Sequence, residues 1–420
     1  MKNKFYNSLF AVFLISVFTL IIFPGCSDKG DPSLYPGTPT APNPATAPVI
    51  SSISPAAPAL AGVSQITIIG KNFSTNPLED LVYFNGVQVN LESATSTQLT
   101  LTAPNITSDS ITIMVAVLNS SLFSNRILYS LSAVAKDIYP DANSTFIVPY
   151  SLASDNSGNI YSSLTVNGSS SGVIEIANDT SVTNYAPKGP ETFWSSMRFG
   201  PNGVLFTARN VSGVYQIPAG GGAPKTYVAI SPSSIKISQL EFDALGNLWA
   251  GGNNSSLYRI NQDKSVHSFP FVANITAMRI YNDGGTNYLY VAATQNSDVS
   301  IQRFPIDSND NLGAPQQYYD FTANYGTGAS ITALEFSADG DMYLGTNLPQ
   351  AIIVVHPDKS SAPLYSGILK LTGVVSMAWG SGNYLYYIRA QSFDVNGALV
   401  VPETIVKLDI QKPGAPYFGR

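Results

Sequence analysis

FDALGNLWAG (residues 242–251), followed at 257–260 by LYRI, is the stretch whose reading decides the fold. An apolar strand runs into a tight Asp/Gly turn, a second strand follows with alternating apolar residues, and a third begins shortly after. The phrase returns as DNSGNIY (155–161), FGPNGVLF (199–206), YNDGG (281–285) ahead of YLY (288–290), FSADGDMY (336–343) and WGSGNYLY (379–386). Its turn glycines, Gly158, Gly203, Gly246, Gly284, Gly340 and Gly382, lie 45, 43, 38, 56 and 42 residues apart. A period near forty with several short strands per unit is the signature of propeller blades.

Working outward, residues 133–420 divide into six four-stranded units. Third strands read GVIEI (172–176), GVYQI (213–217), SLYRI (256–260), VSIQR (299–303), AIIVV (351–355) and TIVKL (404–408). An Ala-Pro pair marks a fourth strand at 223, 314, 362 and 415. Because the last repeat ends on such a strand at 415–418, the ring is expected to close without a full shared blade. The alternative is that KDIY (136–139) adds an outer strand near the seam. The repeat pattern resembles NHL-like and lactonase-like propellers.

Residues 49–131 read as a separate β domain of about seven short strands, the number expected of an immunoglobulin-like sandwich. SISP (52–55), ITIIGKNF (66–73), VYFNG (82–86) and TQLTLTAP (97–104) carry a resemblance to the IPT/TIG family over the whole segment. That resemblance implies a spacer or interaction module. The fold class expected is therefore all-β, an IPT/TIG sandwich followed by a six-bladed propeller.

Residues 1–25 have the layout of a secretory signal, with Lys2 and Lys4 ahead of an apolar run that is short for a membrane span. Cys26, the chain's single cysteine, follows Gly25 and resembles the lipidated residue of a bacterial lipobox. Phe23 and Pro24 depart from the usual pattern there. Residues 26–48 are a Pro/Thr-rich tether. Together these imply a lipid-anchored envelope protein held to a membrane through Cys26, at the outer membrane and facing the surface or the periplasm.

Composition narrows the function. A formal charge of −6, with Lys and Arg scattered, argues against a nucleic-acid groove. One cysteine rules out an intrachain disulfide, and two histidines leave no His-rich metal centre. No cofactor or metal is expected. His267 and His356 sit beside hairpin turns and read as structural, and DSNDNLG (307–313) reads as a long hairpin rather than a calcium loop.

In an up-and-down blade the Asp/Gly turns share one face of the disc and the longer loops share the other. The longer loops carry Phe193, Trp194, Arg209, Asn253, Asn254, Gln295, Asn324, Tyr325 and Arg389. Amides, arginines and aromatic faces are what a glycan or peptide needs: paired hydrogen bonds and a stacking platform. The expectation is a non-enzymatic binding platform for a carbohydrate or protein partner on that face, with Trp194 as its main anchor. The alternative is a metal-dependent lactonase or lyase at the channel mouth, using Glu241 and Glu335.

Overall fold

The computed structural model describes residues 47–118, 120, 122–141, 144 and 146–417. Cys26, the leader and almost all of the tether lie outside the described residues.

The N-terminal strands form two sheets. One has the order Val49–Ser54, Gln65–Lys71, Gln98–Thr102, Ser93–Thr95. The other runs Ala59–Leu60, Ile127–Ser132, Ser108–Val117, Asp80–Phe84, Val87–Val89. Every second residue of the longer strands is sealed from solvent, as in Ile66 and Ile68, Val82 and Phe84, Leu99 and Leu101, and Ile111, Ile113 and Val115. Two of the strands exceed the expected seven because short pieces, Ala59–Leu60 and Ser93–Thr95, pair along the sheet edges.

The remaining strands build six antiparallel blades, except Ser392–Phe393 and Leu399–Val401, which form a separate two-stranded hairpin. Blade 1 is Ile147–Ser154, Ile160–Val166, Ser169–Ile176 and Val182–Ala186. Blade 2 is Ser196–Phe199, Leu205–Ala208, Gly213–Ile217 and Lys225–Ala229. Blades 3 and 4 share one continuous strand, Val266–Asp283, which pairs with Asn253–Ile260 through its first half and with Thr286–Gln295 through its second. Blade 5 runs from Ile331–Phe336 to Ser361–Pro363.

The recurring turn has a local cause. Asp243 accepts the amides of Leu245 and Asn247 on Oδ1, at 3.0 and 2.8 Å, and the Trp249 indole on Oδ2 at 2.8 Å. Asp155 does the same for Ser157, Asn159 and the Tyr161 hydroxyl. The aspartate thus caps its own turn and fixes the first large side chain of the next strand.

Ring closure corrects the expectation drawn from residues 415–418. The outer strand of blade 6 is Ala135–Tyr139, which lies antiparallel to Thr404–Asp409 with Ala135 opposite Leu408. Val374–Trp379 and Tyr384–Arg389 complete that blade, so the first and last strands of the ring share one sheet, with Ala135–Tyr139 as its outer strand. Residues 415–417 form no strand; Pro416 has no amide hydrogen to give a ladder. They cross the tight-turn end of the channel instead. The Ala415 amide donates to the Phe336 carbonyl at 2.9 Å, and the Tyr417 hydroxyl to the Phe199 carbonyl at 2.7 Å. Gly414 lies flat on Trp379, where a Cβ would come within 2.3 Å of the indole.

Candidate functional site

The innermost strands carry matching triplets: Leu152-Ala-Ser154, Met197-Arg-Phe199, Leu240-Glu-Phe242, Met278-Arg-Ile280, Leu334-Glu-Phe336 and Met377-Ala-Trp379. Their central residues face the channel axis and form an alternating charge ladder across blades 2 to 5. Glu241 accepts from Arg198 at 3.4 Å and from Arg279 at 3.2 Å, and Arg279 also donates to both oxygens of Glu335. Burial pushes the Glu241 carboxyl up to about 8, with the Arg198 guanidinium pulling the other way. The cavities on either side of the ladder hold about 40 Å³ each, room for a water and not for a substrate. Glu241 and Glu335 do converge, as their positions suggested, but guanidinium groups occupy both. Arg198 and Arg279 were missed in the sequence, where aligning SMRF, QLEF, AMRI and ALEF would have put all four charges in one register.

The residues expected on the long-loop face fall into separate places. Trp194 is 2% exposed and packs with Met197, Leu205, Val173 and Tyr161 between blades 1 and 2, which removes it as a ligand anchor. It precedes an innermost strand, and its ring turns inward to fill the wedge between neighbouring sheets. Arg389, 2% exposed, donates to both oxygens of Asp137 at 2.6 and 2.9 Å and so pins the closing strand. Asn254 exchanges two hydrogen bonds of 2.8 Å with the backbone of Lys236. Asn253, Asn254 and Gln295 do line one shallow groove, although the Gln295 amide is spent on the Val272 carbonyl at 2.7 Å. Tyr325 bonds Ser361 at 3.0 Å, and the exposed Asn324 bonds the Asp320 carbonyl. Only Phe193 and Arg209 meet face to face, with the guanidinium 3.8 Å above the ring.

A roomy cleft lies on the opposite face, among the tight turns of blades 1 to 3. It measures about 840 Å³ and is walled by Asp155, Tyr161, Glu175, Asn184, Tyr185, Phe199, Asn202 and Gln262. Tyr161 packs edge-on against both Tyr185, at 4.8 Å, and Phe199, at 4.7 Å. Asp155 is saturated by its own turn, whereas Glu175 accepts one bond, from Asn159 at 3.1 Å, and keeps acceptor capacity. Burial, reinforced by Asp155 and Glu175, holds the Tyr161 phenol well above its usual range, so it remains neutral. The wall depends on glycine at Gly221 (φ 98°), where a Cβ would come within 2.2 Å of the Tyr185 carbonyl oxygen. Pro218 accepts from the Tyr185 hydroxyl at 3.2 Å.

His356 bonds Asp341 at 2.7 Å, and Asp341 also takes the Lys412 ammonium at 2.6 Å, so this histidine helps hold the C-terminal segment. His267 is exposed. In the 307–313 hairpin, Asp307 accepts the Asn309 and Asn311 amides at 2.8 Å, and Asp310 accepts from Asn247 at 2.6 Å. Among the described residues no three of His, Cys, Asp and Glu converge as a metal ion would require.

An IPT/TIG sandwich joined to a six-bladed propeller is thus the class that this architecture defines. Residues 48–130 match the IPT/TIG domain family. No curated protein matches the chain in sequence. Among solved structures it is similar to a candidate phosphatase from Bacteroides thetaiotaomicron (14% identity, TM-score 0.53, covering 87% of this chain and 98% of that one). It is also similar to a luciferin-regenerating enzyme (16%, TM-score 0.53, 68% and 98%). A third is an auxiliary nutrient binding protein from Bacteroides thetaiotaomicron (11%, TM-score 0.48, 86% and 97%). At these identities the likeness is one of fold.

Proposed function

We propose that this is a non-enzymatic lipoprotein of the cell envelope, anchored through Cys26, whose IPT/TIG domain is a spacer and whose propeller binds a carbohydrate. The cleft on the tight-turn face is the observation that carries the reading. Its volume of about 840 Å³ is that of a small-ligand site. Its lining has the three things a sugar needs: aromatic rings, Tyr161, Tyr185 and Phe199, as an apolar surface for the ring's C–H face, amides that both donate and accept, and a carboxylate, Glu175, with acceptor capacity left for hydroxyls. An acidic wall on a chain of charge −6 favours a neutral, hydroxyl-rich ligand over an anionic one. The channel is a poor rival, because both of its carboxylates are committed to guanidinium groups and its cavities are too small for a substrate.

A glycan-array screen of the full chain, followed by titration of the best ligand against a Glu175→Gln variant, tests this. Tenfold or greater weakening is expected; a screen without hits, or a folded variant that binds as well as wild type, defeats the reading.

A further inference from the structure

We infer that the long-loop face carries a second, separate site, an amide-lined groove at the junction of blades 3 and 4 that binds the main chain of an uncharged peptide. It lies across the disc from the tight-turn cleft and shares no residue with it. Its frame is the shared strand Val266–Asp283. Among the described residues, only here do two blades run on as one sheet, of seven strands. Where that strand bends from blade 3 into blade 4, it and the ends of its neighbours, Asn253–Ile260 and Thr286–Gln295, line a groove of about 350 Å³. Asn253 stands directly opposite Asn274, and Asn274 opposite Thr294. Their side chains therefore form one row on one face of the sheet, with neighbours about 5 Å apart. Asn296 lies in the tight turn beyond that row, at φ 49°.

Two amides hold the walls, Asn254 on the Lys236 backbone and Gln295 on the Val272 carbonyl. Asn253, Asn274 and Asn296 are exposed, and neither their amides nor the Thr294 hydroxyl has a protein partner among the described residues. A side-chain amide carries a donor and an acceptor side by side, the complement of the C=O and N–H of one extended residue, which it meets with two bonds. No charged residue and no aromatic ring lines the groove. A charged ligand would find no counter-charge there and a pyranose no stacking platform, whereas a peptide main chain asks only for donors and acceptors. Val272, 73% exposed on the groove's lining, adds an apolar contact for one of the peptide's side chains.

The test is a calorimetric titration of the full chain in detergent with three probes. They are a capped hexapeptide of alternating valine and serine, the same peptide N-methylated at alternate amides, and chitobiose, a sugar whose acetamido groups carry the same amide. Wild type should bind the plain peptide about tenfold or more better than either of the others. Asn253→Ala and Asn274→Ala should each weaken that binding about fivefold, the worth of one hydrogen bond. Asn296→Gly keeps the positive φ of the turn and removes only the amide, so it carries the test if the alanine variants disturb the sheet. Tyr185→Ala, in the other cleft, should leave peptide binding unchanged. No binding of the plain peptide at millimolar concentration, equal binding of its N-methylated form, or full binding by folded Asn253→Ala, Asn274→Ala and Asn296→Gly would overturn the site. Preference for chitobiose would overturn the assignment to a peptide.

Discussion

Glu403 enters the last inner-sheet strand of blade 6 with its carboxyl largely removed from water, and that burial pushes it up to about 7 from an ordinary 4.5. Between those values the folded chain holds a proton that the unfolded chain has released. Stability therefore falls as pH rises from 4.5 to about 7, by about 3 kcal/mol if the group acts alone. Denaturant titrations at pH 5 and pH 7.5 should show that decline, and Glu403→Gln should flatten it; an unchanged slope would mean that another group is responsible. Trp194 makes a second prediction at this scale. Its burial among blade 1 and blade 2 side chains means that Trp194→Ala should cost about 3–5 kcal/mol, read as a lower urea midpoint. The sequence placed Trp194 correctly in the chain but not its side chain. A residue just ahead of an inner strand can point to solvent or into the wedge, and only the packing of both neighbouring blades decides.

The closing strand Ala135–Tyr139 is the element on which the ring depends. Asp137 holds it to blade 6 through Arg389 and Lys370. Desolvation works to raise the Asp137 carboxyl, but those two cations outweigh it and hold it below its ordinary value. The stabilisation is present above the ordinary carboxylate range and is lost as pH falls through the lowered value. Asp137→Asn should cost about 2–3 kcal/mol at neutral pH, leaving the buried Arg389 short of its acceptor. Proteolysis should then open the ring first at the seam; cleavage elsewhere would place the weak point in another blade. The element-level reading of the sequence succeeded for inner strands, since each carries its own Asp/Gly turn as a local signal. At the seam its first expectation, a strand at 415–418, failed and its alternative, KDIY (136–139) as an outer strand, is what the structure shows; for residues 413–417 the covered surface lies far away in sequence.

At the scale of the molecule, the all-β class and the six blades were legible because a repeated unit announces itself many times over. The face that holds the cleft of about 840 Å³ was not. The sequence reading put the binding platform on the long-loop face, yet the turns of three blades together with the Gly220–Gly222 loop form a cleft that no single repeat encodes. The envelope reading makes its own prediction. Cys26→Ser should abolish fatty-acid incorporation and release the protein from membranes, and a variant that stays membrane-bound and labelled would refute the anchor.

The central claim, that the tight-turn cleft binds a glycan, is tested most directly by calorimetric titration of wild type and Tyr185→Ala with the best ligand from the array. Removing the aromatic wall should cost about 2 kcal/mol, a loss of roughly thirtyfold in affinity, with the fold intact by circular dichroism. A folded Tyr185→Ala protein that binds with wild-type affinity would contradict the account.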